Sequence, residues 1–267
     1  MGKFHSTQRA LEKELARVYK EEAKLRAQTQ NKNPIPWKTE LENKIPPKVN
    51  DGVRKAFHKA FEITFEKGDI IIDKTYNKEA KKKDFKVKDY AVDVKGSRLQ
   101  LLSIKKDAKL SHTLNTVITS VEGIGLGVLG VGLPDIVLWV GMLLRGVYET
   151  ATQYGFEYDT PEEKLFILKM LETAMLKDRQ WVKANMEIDN YISQSGHMIP
   201  DDTALKEQIS KTADAFATDV MVAKFIQSLP IVGVIGGATN PLYYNKVLNY
   251  VQLKYRKRYL LGKMETK

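Results

Sequence analysis

The chain has 267 residues, 43% of them hydrophobic and 28% charged, with a formal net charge of +10; this balance excludes a wholly disordered chain and a many-span membrane protein. It contains no cysteine, which excludes a disulfide scaffold, thiolate metal ligands and cysteine catalysis. The four histidines, His5, His58, His112 and His197, share no helical spacing, and no nucleotide-binding glycine loop is present, so no metal and no cofactor are expected.

Residues 8–28 read as an amphipathic helix, with Leu11, Leu15, Val18 and Leu25 on one stripe among charged neighbours. It stops in Asn31-Lys32-Asn33-Pro34-Ile35-Pro36, because proline disfavours the α conformation in the residue before it. Trp37 is expected to anchor this arm to the body. A second helix is expected over residues 47–66, where Val53, Phe57, Ala60, Phe61 and Phe65 form a core-facing stripe and Gly68 fits a C-terminal cap. Ile70-Ile71-Ile72 reads as helix or extended linker, and the Lys-rich residues 74–98 as a basic connection or weak helix. Helical character resumes near Leu99.

Residues 123–144 carry a single charge, Asp135, and five glycines between Gly123 and Gly132. Each glycine costs about 1 kcal/mol against alanine in an ordinary helix, but lets backbones approach closely. Pro134 divides the stretch, so a helical hairpin is expected, with Asp135 placed to cap its second helix. Thr160-Pro161-Glu162-Glu163 reads as a capping box with proline at the first helical position, opening a helix that carries Leu165, Phe166, Leu168, Met170, Leu171 and Met175. After Gly196 and Pro200, a helix is expected from near Asp201 to Ser228. Leu229-Pro230-Ile231-Val232-Gly233 with Gly236-Gly237 then repeats the apolar, glycine-rich design. The final helix, over residues 240–261, interleaves tyrosines with Lys254, Arg256, Lys257 and Arg258, a mixture suited to a membrane interface or to a half-buried surface helix.

The order of these pieces resembles the EcsC family. The resemblance rests on Lys44-Ile45-Pro46-Pro47-Lys48-Val49 with the aromatic helix behind it, Leu133-Pro134-Asp135-Ile136, Leu143-Leu144-Arg145, Tyr154-Gly155-Phe156, the helix opening at Pro161, and the second proline–glycine cluster with Asn240. It implies a bacterial α-helical protein acting near membranes or secretion machinery. The family is named for the third gene of an operon that also encodes an ABC exporter, and it brings no established reaction or catalytic residue.

The expected architecture is therefore all-α: a multi-helix bundle in which two glycine-rich apolar hairpins pack together. A helical arm would occupy residues 1–39, an EcsC-like domain residues 40–262 with a linker at 74–98, and a tail residues 263–267. Residues 1–110 carry 27 Lys/Arg against 16 Asp/Glu, residues 111–240 carry 9 against 16, and residues 241–267 carry 7 against 1. Basic ends flanking apolar stretches favour anionic lipid over nucleic acid, and the resemblance implies a membrane protein, an ABC exporter, as an alternative partner. The charged opening after Arg9 is no secretory signal core, so the expected location is the cytoplasmic face of the cell membrane. Tyr250, Lys254, Tyr255, Arg256, Lys257 and Arg258 are the expected lipid-facing residues. Asp135, Arg145 and Glu122 are the charges lying in or beside apolar sequence, and would serve structure or function there. Three readings remain open: a membrane-associated helical protein, a soluble interaction module with a close-packed core, and an enzyme of unknown reaction.

Overall fold

The computed structural model describes residues 2–30, 47–73, 77–110, 133–194, 199–226 and 240–265. Among the described residues all regular structure is α-helical: α1 (Gly2–Gln30), α2 (Pro47–Asp73), α3 (Lys78–Lys95), α4 (Arg98–Leu110), α5 (Leu133–Gln153), α6 (Pro161–Met175), α7 (Asp178–Ser193), α8 (Asp202–Ile226) and α9 (Asn240–Glu265).

Local chemistry explains several boundaries. Thr160 accepts the Glu163 N–H at 3.3 Å and Pro161 occupies the first turn of α6, as the sequence predicts. α8 starts where Asp201 accepts the Ala204 N–H at 2.7 Å. The Lys-rich stretch, expected as a connection or a weak helix, contains a well-capped helix. Asn77 accepts the Ala80 N–H at 2.8 Å, and Gly96 closes α3 in the left-handed conformation at φ 55°, donating to Val92 O at 2.9 Å. Gly68 does not end α2, which runs on to Asp73 and takes Ile72 into the core at 4% exposure. α7 fills a span between α6 and Gly196 for which the sequence suggested no element.

The core has two halves. In one, α2 packs on α5 and α8, and the aromatic stripe of α2 is buried as expected. Phe57 meets Trp139 edge-on at 6.3 Å, while Phe61 and Trp139 lie 5.3 and 5.6 Å from Phe216. Edge-to-face and tilted contacts of this kind are favoured by the ring quadrupoles. In the other half, α9 is packed by α1, α5 and α6. Tyr148 stacks on Tyr158 at 4.2 Å, and Phe166 stacks on Tyr191 at 4.8 Å.

Residues 111–132 and 227–239 lie outside the described residues. Both glycine-rich segments, and the expected packing of one on the other, fall there. α5 begins at Leu133, so Asp135 sits within its first turn rather than in the cap position before it. No described helix is long and apolar enough to cross a membrane.

Candidate functional site

α9 runs through the middle of its half of the molecule although Lys254, Arg256, Lys257 and Arg258 crowd its sequence. A helix that is charged on several faces can be buried only if each charge meets an opposite one. That condition is met by carboxylates from four other helices. Arg256 donates to Glu14 at 2.6 Å and to both oxygens of Glu21 at 3.2 and 3.3 Å. Lys257 donates to Glu22 at 2.9 Å and to Asp189 at 2.8 Å. Lys254 bonds the same Asp189 at 2.7 Å and also pairs with Glu22. Arg258 reaches Glu163 at 2.7 Å, and the Tyr255 hydroxyl donates to the other oxygen of that carboxylate at 2.7 Å. Further along, Tyr259 and Lys263 bond Asp89, and Lys263 also bonds Asp93, at 2.8 to 2.9 Å.

These contacts correct the expected lipid-facing role of α9. Tyr250, Lys254, Tyr255, Arg256 and Lys257 are none of them more than 5% exposed, and Arg258 is partly buried against Phe156, with its guanidinium 4.2 Å from the ring centroid. The tyrosines face the interior, not a headgroup layer. Tyr250 donates to Asn185 Oδ1 at 2.9 Å.

The electrostatics follow from geometry. Burial pushes the Lys254 ammonium below its ordinary value against the pull of Glu22 and Asp189. Burial acts the same way on Lys257, but its bonds to Asp189 and Glu22 outweigh it and the ammonium is held above its ordinary value. Glu14 experiences burial, which favours the neutral acid, yet the guanidiniums of Arg98, Arg256 and Arg17 together hold it below the usual carboxylate value.

The other singled-out charges separate. Arg145 pairs with Glu149 one turn along α5 at 3.1 Å, and Lys81 approaches the second oxygen of Glu149 at 3.7 Å. Glu122 and the side chain of Asp135 lie outside the described residues. Sequence reading passed over Glu14, Glu21, Glu22, Glu149 and Asp189. For Glu14 and Glu22 a signal existed, since they fall three and four residues beyond Leu11 and Val18 and so share the buried face. Glu149 stands at the i+4 position from Arg145, an ordinary helical pair. Among the described residues no cluster of His, Asp or Glu could hold a metal ion.

The outer surface of α3 is different in kind. Val92 is fully buried, and Phe85 packs at 6.0 Å on Tyr259. On the opposite face Val87, Tyr90 and Val94 are 68, 69 and 50% exposed. Their spacing of three and four residues places them in one stripe along the helix. Lys83, Lys86 and Lys95 are exposed beside it, with no carboxylate partner among the described residues. Just beyond the Gly96 turn, Leu99 is 74% exposed.

A model of the EcsC protein family matches residues 9–260, a span that takes in most of α1 and all of α3 as well as the helices carrying the resemblance. The chain is 23% identical over 205 residues to Protein EcsC of Bacillus subtilis (strain 168), covering 76% of this chain and 75% of that protein. No solved structure matches it.

Proposed function

From the premise that the chain belongs to the EcsC protein family, we propose that it is a peripheral membrane protein that docks on anionic bilayers through the outer face of α3, at the cytoplasmic surface of the cell membrane. The observation that carries this reading is the exposed stripe Val87, Tyr90 and Val94 flanked by Lys83, Lys86 and Lys95. A helix that buries one face in its own core and still presents apolar side chains to solvent has a surface that water disfavours. Apolar residues that enter the headgroup boundary, with lysines reaching phosphate, are the composition of an interfacial helix. Each such lysine contributes about 1 kcal/mol near an anionic surface, so three supply roughly a hundredfold in binding. The basic residues of α9 are consumed internally and take no part.

Flotation of the full chain with phosphatidylcholine vesicles, alone or doped with phosphatidylserine, tests this. Binding is expected only to the doped vesicles, and high salt reverses it. The variant Val87→Ser/Tyr90→Ser/Val94→Ser changes only exposed side chains and should abolish flotation while leaving the melting temperature intact. Flotation unaffected by that variant, or absent from anionic vesicles, overturns the reading. In the latter case the stripe belongs to a protein partner.

A further inference from the structure

The ion pairs around Arg256 border a cleft of about 290 Å³ between α1, α4 and α9, at the lower edge of the range typical of small-molecule sites. Glu21 and Lys24 line it from α1, Lys105 from α4, Arg256 from α9, and Tyr154 from the turn that follows α5. Tyr154 stands apart among them. The residue is 3% exposed and its hydroxyl is not sealed from solvent, yet no group among the described residues bonds that hydroxyl. A buried hydroxyl is normally paired. Burial pushes this one well above the ordinary tyrosine value against the pull of Arg256, so at neutral pH it is an O–H with a proton to donate.

We propose that this cleft binds a phosphate monoester group, its dianion lying among Lys24, Lys105 and Arg256 and accepting the Tyr154 hydroxyl. The charge of the ligand follows from the local balance. Behind the cleft Glu14 meets Arg17, Arg98 and Arg256, and on its wall Glu21 meets Lys105 and Arg256 at 3.2 Å. Lys24 meets no carboxylate among the described residues. Five cations therefore face two carboxylates. α1 and α5 both end near the cleft, and each helix end adds about half a negative charge, which leaves about two positive charges over. A phosphate monoester carries up to about two negative charges at neutral pH and accepts from several directions, whereas a carboxylate brings one charge and two coplanar oxygens. Glu21 shows the pull of the place: burial favours its neutral form, yet Arg256 and Lys105 hold it below the ordinary carboxylate value. Its side chain is 48% exposed, so it can turn to solvent and yield both cations to the ligand.

The test is calorimetric titration of the full chain, in low-salt buffer free of phosphate and without vesicles. The probes are glycerol 3-phosphate, glycerol, and dioctanoyl phosphatidic acid below its micelle concentration. Saturable one-to-one binding of glycerol 3-phosphate and none of glycerol is expected. Tighter binding of phosphatidic acid than of glycerol 3-phosphate would identify a lipid headgroup as the source, and equal or weaker binding a soluble ester. Tyr154→Phe removes only the unbonded hydroxyl, so it should leave the melting temperature unchanged. It should weaken binding about tenfold or more, the worth of a hydrogen bond to a charged acceptor. Glu21→Gln removes the competing carboxylate and should tighten binding up to about fivefold, the most that an exposed ion pair supplies. A merely structural role for Glu21 would not tighten it. No saturable binding of either phosphate, equal binding of glycerol, or binding that Tyr154→Phe fails to weaken or Glu21→Gln fails to tighten overturns the proposal. The α3 triple variant should bind glycerol 3-phosphate as the parent does, so failure of the membrane reading and failure of this one are distinguishable.

Discussion

Replacing Glu14 by alanine measures what the buried charge network contributes. The Glu14 carboxylate is 2% exposed and receives Arg256 at 2.6 Å and Arg98 at 3.1 Å, with Arg17 adjacent. Breaking one side of a buried pair typically costs about 3–5 kcal/mol, because the remaining charge is stranded. Arg256 keeps Glu21 at 3.2 Å, so the lower figure applies, about 3 kcal/mol. For a chain of this size that is a fall in Tm of roughly 6–12 °C. Glu14→Gln, which keeps the volume and one acceptor, should cost about half as much. The exposed pair of Asp214 with Arg54 at 3.7 Å supplies the control, and Asp214→Ala should stay within about 0.5 kcal/mol of the parent. Urea unfolding followed by far-ultraviolet circular dichroism reads all three. The pH dependence gives an independent sign. Glu14 titrates below its ordinary 4.5 in the folded protein, so the unfolded chain binds its proton more readily. Its stabilisation is therefore complete above pH 4.5 and is lost as pH falls through the lower folded value. The gap between parent and Glu14→Ala should narrow on acidification. A cost below about 1 kcal/mol at pH 7, or a gap that widens in acid, would refute the reasoning.

Gly155 sits at φ 82°, and a Cβ there would lie 2.2 Å from the Phe85 ring; Gly155→Ala should cost about 2 kcal/mol or more, read as a lower urea midpoint. Thr160→Ala should cost about 1 kcal/mol and Thr160→Asn much less, since asparagine also caps α6, a difference that thermal melting resolves. Tyr255→Phe removes the bond to Glu163 but leaves Arg258 at 2.7 Å on that carboxylate, so a loss of about 1 kcal/mol in urea unfolding is expected.

Features written in adjacent residues were legible in the sequence. Thr160 and Pro161 mark a helix start because capping is settled within one turn. Phe57, Phe61 and Phe65 mark a core face because periodicity needs no knowledge of the partner. The half of the expected box that would return Glu163 to its own helix start is replaced, however, since that carboxylate goes to Tyr255 and Arg258. α9 was misread for the same physical reason. Tyrosine beside lysine and arginine describes a membrane interface and a salt-bridged interior equally well, and the choice depends on Glu14, Glu21, Glu22 and Asp189, which are remote in the chain. In α3, a count of lysines concealed the Asn77 cap, the Gly96 stop and the buried Val92. The apolar stripe of Val87, Tyr90 and Val94 was present in the residues, but only the position of α3 reveals that it faces outward.

The pairing of α1 with α9 also sets a schedule for synthesis. Glu14 and Arg256 are separated by 242 positions, so at about 5–20 residues per second a ribosome makes the acid roughly 10–50 s before its base. Throughout that interval α1 has Leu11, Leu15 and Val18 with no α9 to cover them, and three glutamates with no counter-charges from it. The half of the molecule around α9 therefore closes only after this helix has left the exit tunnel. A nascent chain stalled before α9 presents an amphipathic helix of net positive charge, its apolar stripe and the glutamates that α9 would meet still uncovered, to whatever chaperone meets it first.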